Sequence, residues 1–282
     1  MTNTTHAQEL DQGKRFAFGQ NWANFLRTLD EERVLEAERS LKQMLEIESL
    51  KGKRFADVGS GSGLFSLAAR RLDASVHSFD YDPQSVACTA ELKRRFFPDN
   101  PEWIVEEGSV LDREFLARLG QFDVVYSWGV LHHTGEIWKA IDNAATLCAA
   151  NGLLFIAIYN YMGGASKRWT WIKKIYCQLP RWLAMPFALA VMMPIQLRSF
   201  LIYLVQGKPL AFFREKFDYQ TRRGMNWWYD QIDWIGGYPY QDAKPEDIFR
   251  FLHGRGYSLK NITTCGGGIG CNEFVFKKEP IA

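Results

Sequence analysis

Between Arg54 and Tyr159 the sequence alternates short apolar runs with amphipathic runs, and this alternation admits only one broad architecture. "RFADV" reads as a buried strand, "LFSLAARRL" as a helix, "SVHSFD" as a strand, and "PQSVACTAELKRRF" as a helix with Pro83 in its first turn. "PEWIVEEG" is then a strand, "REFLARLG" a helix, "FDVVYSW" a strand, "EIWKAIDNAATLCAANG" a helix ended by Asn151-Gly152, and "LLFIAIYN" a fifth strand. Strands interleaved with helices need right-handed crossovers, so the spacing predicts an α/β fold with a doubly wound, mainly parallel sheet covered on both faces.

The flanks are of other kinds. "RVLEAERSLKQMLEIESL" puts Val34, Leu41, Met44 and Leu45 at three- and four-residue steps, an amphipathic helix within an N-terminal helical segment over residues 1–50. After Asn160 the alternation stops, and it resumes with "KPEDIFRFLHGRG" as a helix and "YSLKNITTC" and "NEFVFKK" as strands. The expected α/β domain is therefore 51–160 with 243–282. Residues 161–242 read as an aromatic-rich helical lid inserted after the fifth strand, at the sheet edge where ligands of such folds bind.

A chain of 282 residues, 47% hydrophobic, fills a sizeable core, and its net charge of +2 excludes a polyanion binder over its whole length. The charge is uneven: Ala165 to Lys216 carries +8, leaving −6 for the rest. Five cysteines, with no CxxC pair, read as reduced thiols of a cytoplasmic protein, and the first residues lack the apolar run of a signal peptide. "WLAMPFALAVMMPIQL" contains Pro186 and Pro194 and is followed by Arg198, short of the roughly 20 apolar residues of a bilayer crossing.

"DVGSGSG" (Asp57 to Gly63) follows the first strand and opens a helix, where a glycine turn presents bare backbone to a ligand at a helix N-terminus. Leu64 and Phe65 stand where the dinucleotide fingerprint GxGxxG would need its third glycine, which disfavours a pyrophosphate. Asp80 ends the second strand about 20 residues later, the spacing at which a carboxylate holds ribose hydroxyls. Asp82, immediately before Pro83, reads as a helix cap.

"FADVGSGSGLFSLAA", "SFDYDP", "EEGSVLD" and "FDVVYSWGVLHHTG", in that order, resemble the successive motifs of class I, Rossmann-like S-adenosylmethionine-dependent methyltransferases, with the nearest likeness to quinol-methylase-type small-molecule enzymes. The resemblance implies a seven-stranded sheet with the last strand antiparallel, S-adenosyl-L-methionine as cofactor and S-adenosyl-L-homocysteine as product. It places Asp57, Gly59 and Gly61 at the methionine end of the cofactor, Asp80 on the ribose and Tyr81 on the adenine. Ser109 and Val110 would reach the adenine edge, Ser109 standing where many relatives have aspartate, and Ser127 would face the amino-acid portion.

Such chemistry holds a nucleophile in line with the sulfur–methyl bond and excludes water, and an acceptor that starts protonated needs a base. His132 and His133 in "VLHHTG" lie just beyond the fourth strand, where either is a candidate base, His133 ahead of His132, against an architectural role in the loop. His6, His77 and His253 form no ligand-spaced set with them, so no metal site is expected. Tyr159 and Asn160 leave the fifth strand toward the presumed pocket. From "RRGMNWWYDQIDWIGGYPYQ", Trp228, Asp230 and Tyr238 are further pocket candidates, against a reading of that stretch as the lid's own core.

The basic, apolar stretch over 165–216 is open to several readings. It is a lid with a solvated basic side, a homo-oligomer contact, or a peripheral membrane contact that admits a lipid or quinol acceptor; nucleic acid ranks last. The sequence thus predicts a methyltransferase acting on an O, S or N nucleophile of a small molecule, against a cofactor-binding regulatory subunit or sensor without turnover.

Overall fold

The strands place their side chains alternately into two cores, one on each side of a single sheet. The computed structural model describes residues 5–217, 227–268 and 270–280, without the side chains of residues 20, 21, 23, 24, 181, 215–217, 227–230 and 233. The strands are β1 (Arg54–Val58), β2 (Ser75–Asp80), β3 (Trp103–Glu107), β4 (Phe122–Trp128), β5 (Cys148–Tyr159), β6 (Tyr257–Thr263) and β7 (Cys271–Lys278), in the spatial order β3-β2-β1-β4-β5-β7-β6. β7 runs antiparallel to both its neighbours, and the other pairings are parallel.

The helices are α1 (His6–Asp11), α2 (Gly19–Arg27), α3 (Glu31–Leu45), α4 (Leu64–Arg71), α5 (Pro83–Phe96), α6 (Arg113–Leu119), α7 (Ile137–Thr146), α8 (Gly164–Gln178), α9 (Arg181–Val205), α10 (Pro209–Phe217), α11 (Trp227–Gly236) and α12 (Pro245–His253). On one face Leu41, Leu45, Leu67 and Leu92 of α3, α4 and α5 pack with Phe55, Val124 and Phe155. On the other, Leu116, Ile141, Ile248 and Leu252 of α6, α7 and α12 pack with Ala56, Val125, Ile156 and Phe274. The two-residue period of the strands sends Phe55 one way and Ala56 the other, which is the physical content of double winding. Local signals start the helices: Asp30 accepts the Arg33 amide at 3.0 Å, and Asp112 accepts the Glu114 and Phe115 amides, both at 3.0 Å.

One expected boundary moves. α7 ends at Thr146 rather than at Asn151-Gly152, and β5 begins at Cys148. The register jumps from Phe122↔Cys148 to Val124↔Leu153, with Asn151 at φ +61°, so this Asn-Gly pair makes an irregularity within β5 instead of ending a helix.

The chain divides into two compact units, one comprising Phe18–Lys167 and Tyr240–Ala282 with the sheet, the other joining Met1–Ala17 to Arg168–Pro239. Within the second unit α10 folds back on α9, with the Phe212 ring 5.3 Å from Phe200 and 6.2 Å from Tyr203. Lys173, counted above in the basic stretch, is fully buried there: its ammonium donates to the Trp234 carbonyl and lies 4.5 Å from the Trp234 ring centroid. The Phe16 amide donates to the Tyr238 carbonyl at 2.8 Å, which ties the N-terminal stretch to the end of this unit.

Gly108 leaves β3 against the Phe115 ring, where an added Cβ would stand 2.2 Å from Cζ. Gly108→Ala should cost about 1–3 kcal/mol by overpacking. The check is denaturant unfolding, read as a lowered midpoint at unchanged slope.

Candidate active site

Two turns at the carboxyl ends of β1 and β2 meet through a carboxylate. Asp80 is half-buried; its Oδ2 accepts the Gly61 amide at 2.9 Å and its Oδ1 accepts the Asp82 amide at 2.9 Å. The Gly59 and Ser60 amides donate to the Phe79 carbonyl at 2.9 and 3.1 Å, and the Gly108 amide donates to the Asp80 carbonyl at 3.0 Å. The three loops after β1, β2 and β3 are thereby bonded to one another.

The glycines of the first loop have a more specific reason than bare backbone for a ligand. All three have positive φ. A Cβ on Gly59 would stand 2.3 Å from Val130 Cγ1, one on Gly61 3.2 Å from the Trp22 ring, and one on Gly63 2.9 Å from Thr89 Cα. Conformation and the chain's own packing both require glycine here.

Asp57 lies a step below the loop, 2% exposed. Ser66 Oγ donates to its Oδ2 at 2.5 Å, Ser66 Oγ and Ser78 Oγ are 2.7 Å apart, and Trp103 Nε1 donates to Ser78 Oγ at 2.9 Å. An indole N–H can only donate, so the protons run in one direction: Trp103 to Ser78, Ser78 to Ser66, Ser66 to Asp57. Burial raises Asp57 to about 7, with the neighbouring Asp80 adding to the rise, and burial raises Asp80 to about 6. Among the described residues no Lys or Arg bonds to either carboxylate.

The remaining cofactor candidates lie around this loop. Tyr81 follows Asp80 and is half-buried, and Val110 is buried with its carbonyl accepting Asn143 Nδ2 at 2.9 Å. Ser109 Oγ accepts the Leu111 amide at 3.2 Å. Ser127 is fully buried, and its hydroxyl donates to the Val58 carbonyl at 2.8 Å, joining β4 to β1. Asp82 caps α5 through the Gln84 amide at 2.9 Å and also accepts the Gly19 amide at 2.8 Å.

The loop after β4 brings aromatic rings beside the glycine turn. His132 and His133 form a short 3-10 turn (Leu131–His133), with Val130 of the same loop against Gly59. The His132 ring lies 4.1 Å from the Tyr159 ring and 4.5 Å from His133; Phe18 is 5.0 Å from His133, and Tyr240 5.5 Å from Tyr159. His132 has no exposed surface, whereas His133 retains 9%. The Gln241 amide donates to the His132 carbonyl at 2.9 Å, and Gln241 Oε1 accepts the Ile137 amide at 2.8 Å.

Asn160 does not open toward a pocket. Its Nδ2 donates to the Gly266 and Gly268 carbonyls, both at 3.3 Å, and its Oδ1 accepts Asn272 Nδ2 at 3.1 Å, pinning the glycine-rich hairpin between β6 and β7. Tyr238 is half-buried in the other unit, and the side chains of Trp228 and Asp230 lie outside the described residues.

Phe18, Gly19 and Trp22 are the site residues that sequence reading passed over. The signal was the cluster "FAFGQNW", aromatic residues around a glycine, with a Cβ on Gly19 coming 2.5 Å from Gln84 Cβ.

Residues 56–154 match the family model for the methyltransferase domain. Residues 56–154 thus form a methyltransferase domain, within a sheet of Rossmann-like strand order. The domain is 34% identical over 110 residues to a tRNA U34 carboxymethyltransferase of Alcanivorax borkumensis, covering 38% of this chain and 33% of that protein. It is 31% identical over 113 residues to a ubiquinone biosynthesis O-methyltransferase of Parvibaculum lavamentivorans, covering 38% and 40%. The chain thus spans about a third to two fifths of the length of the curated relatives it matches. Among solved structures, magnesium protoporphyrin IX methyltransferase from Synechocystis PCC 6803 superposes with a TM-score of 0.51 at 15% identity, covering 87% of this chain and 83% of that one. An O-methyltransferase family protein from Burkholderia thailandensis gives 0.54 at 12% identity, covering 97% and 67%. At these identities the likeness is one of fold.

The raised Asp57 value sets a sign for pH dependence. Between the ordinary carboxyl value of 3.8 and about 7 the folded state holds a proton that the unfolded chain has lost, so this contribution is present at low pH and disappears as pH rises through about 7. Asp57→Asn should therefore gain stability relative to the parent between about pH 5 and about pH 8. Parallel unfolding profiles for the two proteins across that range would contradict the assignment.

Proposed function

We propose that the chain transfers a methyl group from S-adenosyl-L-methionine to an oxygen, sulfur or nitrogen nucleophile of a small molecule, leaving S-adenosyl-L-homocysteine. The observation that carries this reading is Asp80: a half-buried carboxylate at the end of β2, clasped by the Gly61 and Asp82 amides beside a glycine turn. An ionised carboxylate offers about four acceptor directions, so Asp80 keeps capacity for a ribose hydroxyl after receiving those amides. The residues also fit the donor's charge, since Asp57 and Asp80 are raised by burial and a cationic ligand relieves that cost. When bound, the cofactor supplies an electrophilic methyl group on a sulfonium.

Under this reading the chain's own groups hold, orient and shield. Asp80 takes the ribose, Tyr81 the adenine face, Val110 and Ser109 the adenine edge, and the Gly59–Gly61 backbone the amino-acid tail, with Asp57 beneath it. His133 would take the acceptor's proton at a ring nitrogen, and its position beside Tyr159 and Phe18 supports that role. Its remaining exposure supports it over the wholly enclosed His132, which stacks on Tyr159 and positions the loop.

Removing a hydrogen-bonded charged partner costs roughly 1.5–3 kcal/mol, so Asp80→Ala should weaken cofactor binding more than tenfold by calorimetry. His133→Ala should lower turnover severalfold while leaving cofactor affinity within about twofold, the pattern of a proton acceptor. The assay measures S-adenosylhomocysteine release over a panel of phenols, thiols and amines. Cofactor binding without turnover on any of them would replace this reading with a regulatory subunit.

A further inference from the structure

Unit Met1–Ala17 with Arg168–Pro239 contains the least covered apolar surface among the described residues. Trp182–Val205 of α9 is a 24-residue apolar helix of which 11% of the most apolar window is buried. Trp182 is 74% exposed, Met193 68%, Leu197 55% and Val205 88%. A soluble helix shows an apolar stripe on one side only, and an isolated exposed patch of this extent marks an interaction surface.

We infer that α9 docks the protein on an anionic lipid bilayer, lying in the headgroup region without crossing it.

Charge selects the occupant. No Asp or Glu occurs from Ala165 to Arg214, while Arg168, Lys174, Arg198 and Lys208 of the same unit are exposed. Basic residues flanking an apolar face, with tryptophans such as Trp171 at 65% exposure, suit a surface of negative headgroups over acyl chains. A second copy of the chain would set the same positive charges against each other across a two-fold contact, which disfavours it. Each exposed basic residue near an anionic surface adds to the attraction, and salt screens it.

Topology excludes a crossing. At about 1.5 Å per residue α9 is long enough for the roughly 30 Å hydrocarbon core. One passage would, however, leave β5 and β7 on opposite sides of the membrane, whereas they pair residue by residue from Leu153↔Lys277 to Tyr159↔Cys271. A return passage needs about 17–25 apolar residues, and residues 206–244 carry eleven charged residues, Lys208, Arg214, Arg222 and Asp230 among them. Phe212 of α10 instead folds back on Phe200 and Tyr203, making a hairpin whose turn carries Lys208. The two prolines inside α9, Pro186 and Pro194, suit a helix lying along an interface with room to bend.

The test is sedimentation of the full chain with preformed phosphatidylcholine vesicles, with and without phosphatidylglycerol. The expected result is binding at least tenfold stronger with phosphatidylglycerol, reversed by high salt. Met193→Glu combined with Leu197→Glu should weaken that binding tenfold or more while thermal unfolding stays unchanged, and Lys174→Glu with Lys208→Glu should weaken it without touching the apolar face. Three outcomes would overturn the proposal: no difference between the two vesicle types, retention on vesicles in high salt as for a crossing helix, or a salt-resistant dimer lost in the Met193/Leu197 variant without vesicle binding. None of these readouts depends on methyl transfer, so the proposal and the catalytic reading stand or fall separately.

Discussion

The hydrogen bond from the Gly61 amide to the Asp80 carboxylate is the contact on which the site depends. It joins the turns after β1 and β2, which parallel pairing alone leaves as two independent loops. Gly61 reaches Asp80 only because it adopts φ +54° and has no Cβ to meet Trp22. The same bond stabilises the charged form of Asp80 against a burial cost that would otherwise neutralise it. Beneath it, the donors from Trp103 through Ser78 and Ser66 to Asp57 fix the position of the second carboxylate from the opposite direction. Two acids are thus held close together in a low-dielectric setting by neutral donors, an arrangement whose electrostatic complement is a positively charged ligand.

The sheet explains why these groups converge. Parallel strands place their carboxyl ends along one edge, so the loops after β1, β2 and β4 share it. Val130 packing on Gly59 brings the β4 loop, with its two histidines, to the glycine turn. Tyr159 at the end of β5 and Tyr240 at the start of the returning chain complete a group of rings around His132.

Most of the sheet was legible because its signals are local. Alternation of period two and period 3.6, Pro83 after Asp82, and the glycine turn followed by Asp80 each depend on a few neighbouring residues. The end of α7 was misread because Asn151-Gly152 also satisfies a helix stop, and only pairing with β4 shows that Cys148 already belongs to the sheet. Phe18, Gly19 and Trp22 escaped because their role comes from partners more than thirty residues away, at Gly61, Asp82 and His133. Lys173 looked like one more surface cation, since nothing in its neighbourhood announces that Trp234 encloses it. Asn160, next to Tyr159, proved to be a fastener for the β6–β7 hairpin because its partner, Asn272, lies far along the chain.

The position of β7 between β5 and β6 has a consequence for how the molecule is made. β6 leaves the ribosome before β7 but has no partner in the sheet without it, since its neighbour is β7 rather than β5. Until Cys271 to Lys278 emerge, the nascent sheet ends at β5 with its outer row of amides and carbonyls open to solvent or to a passing chaperone. β7 is therefore the keystone of that half of the sheet, and β6 joins it only once β7 is in place.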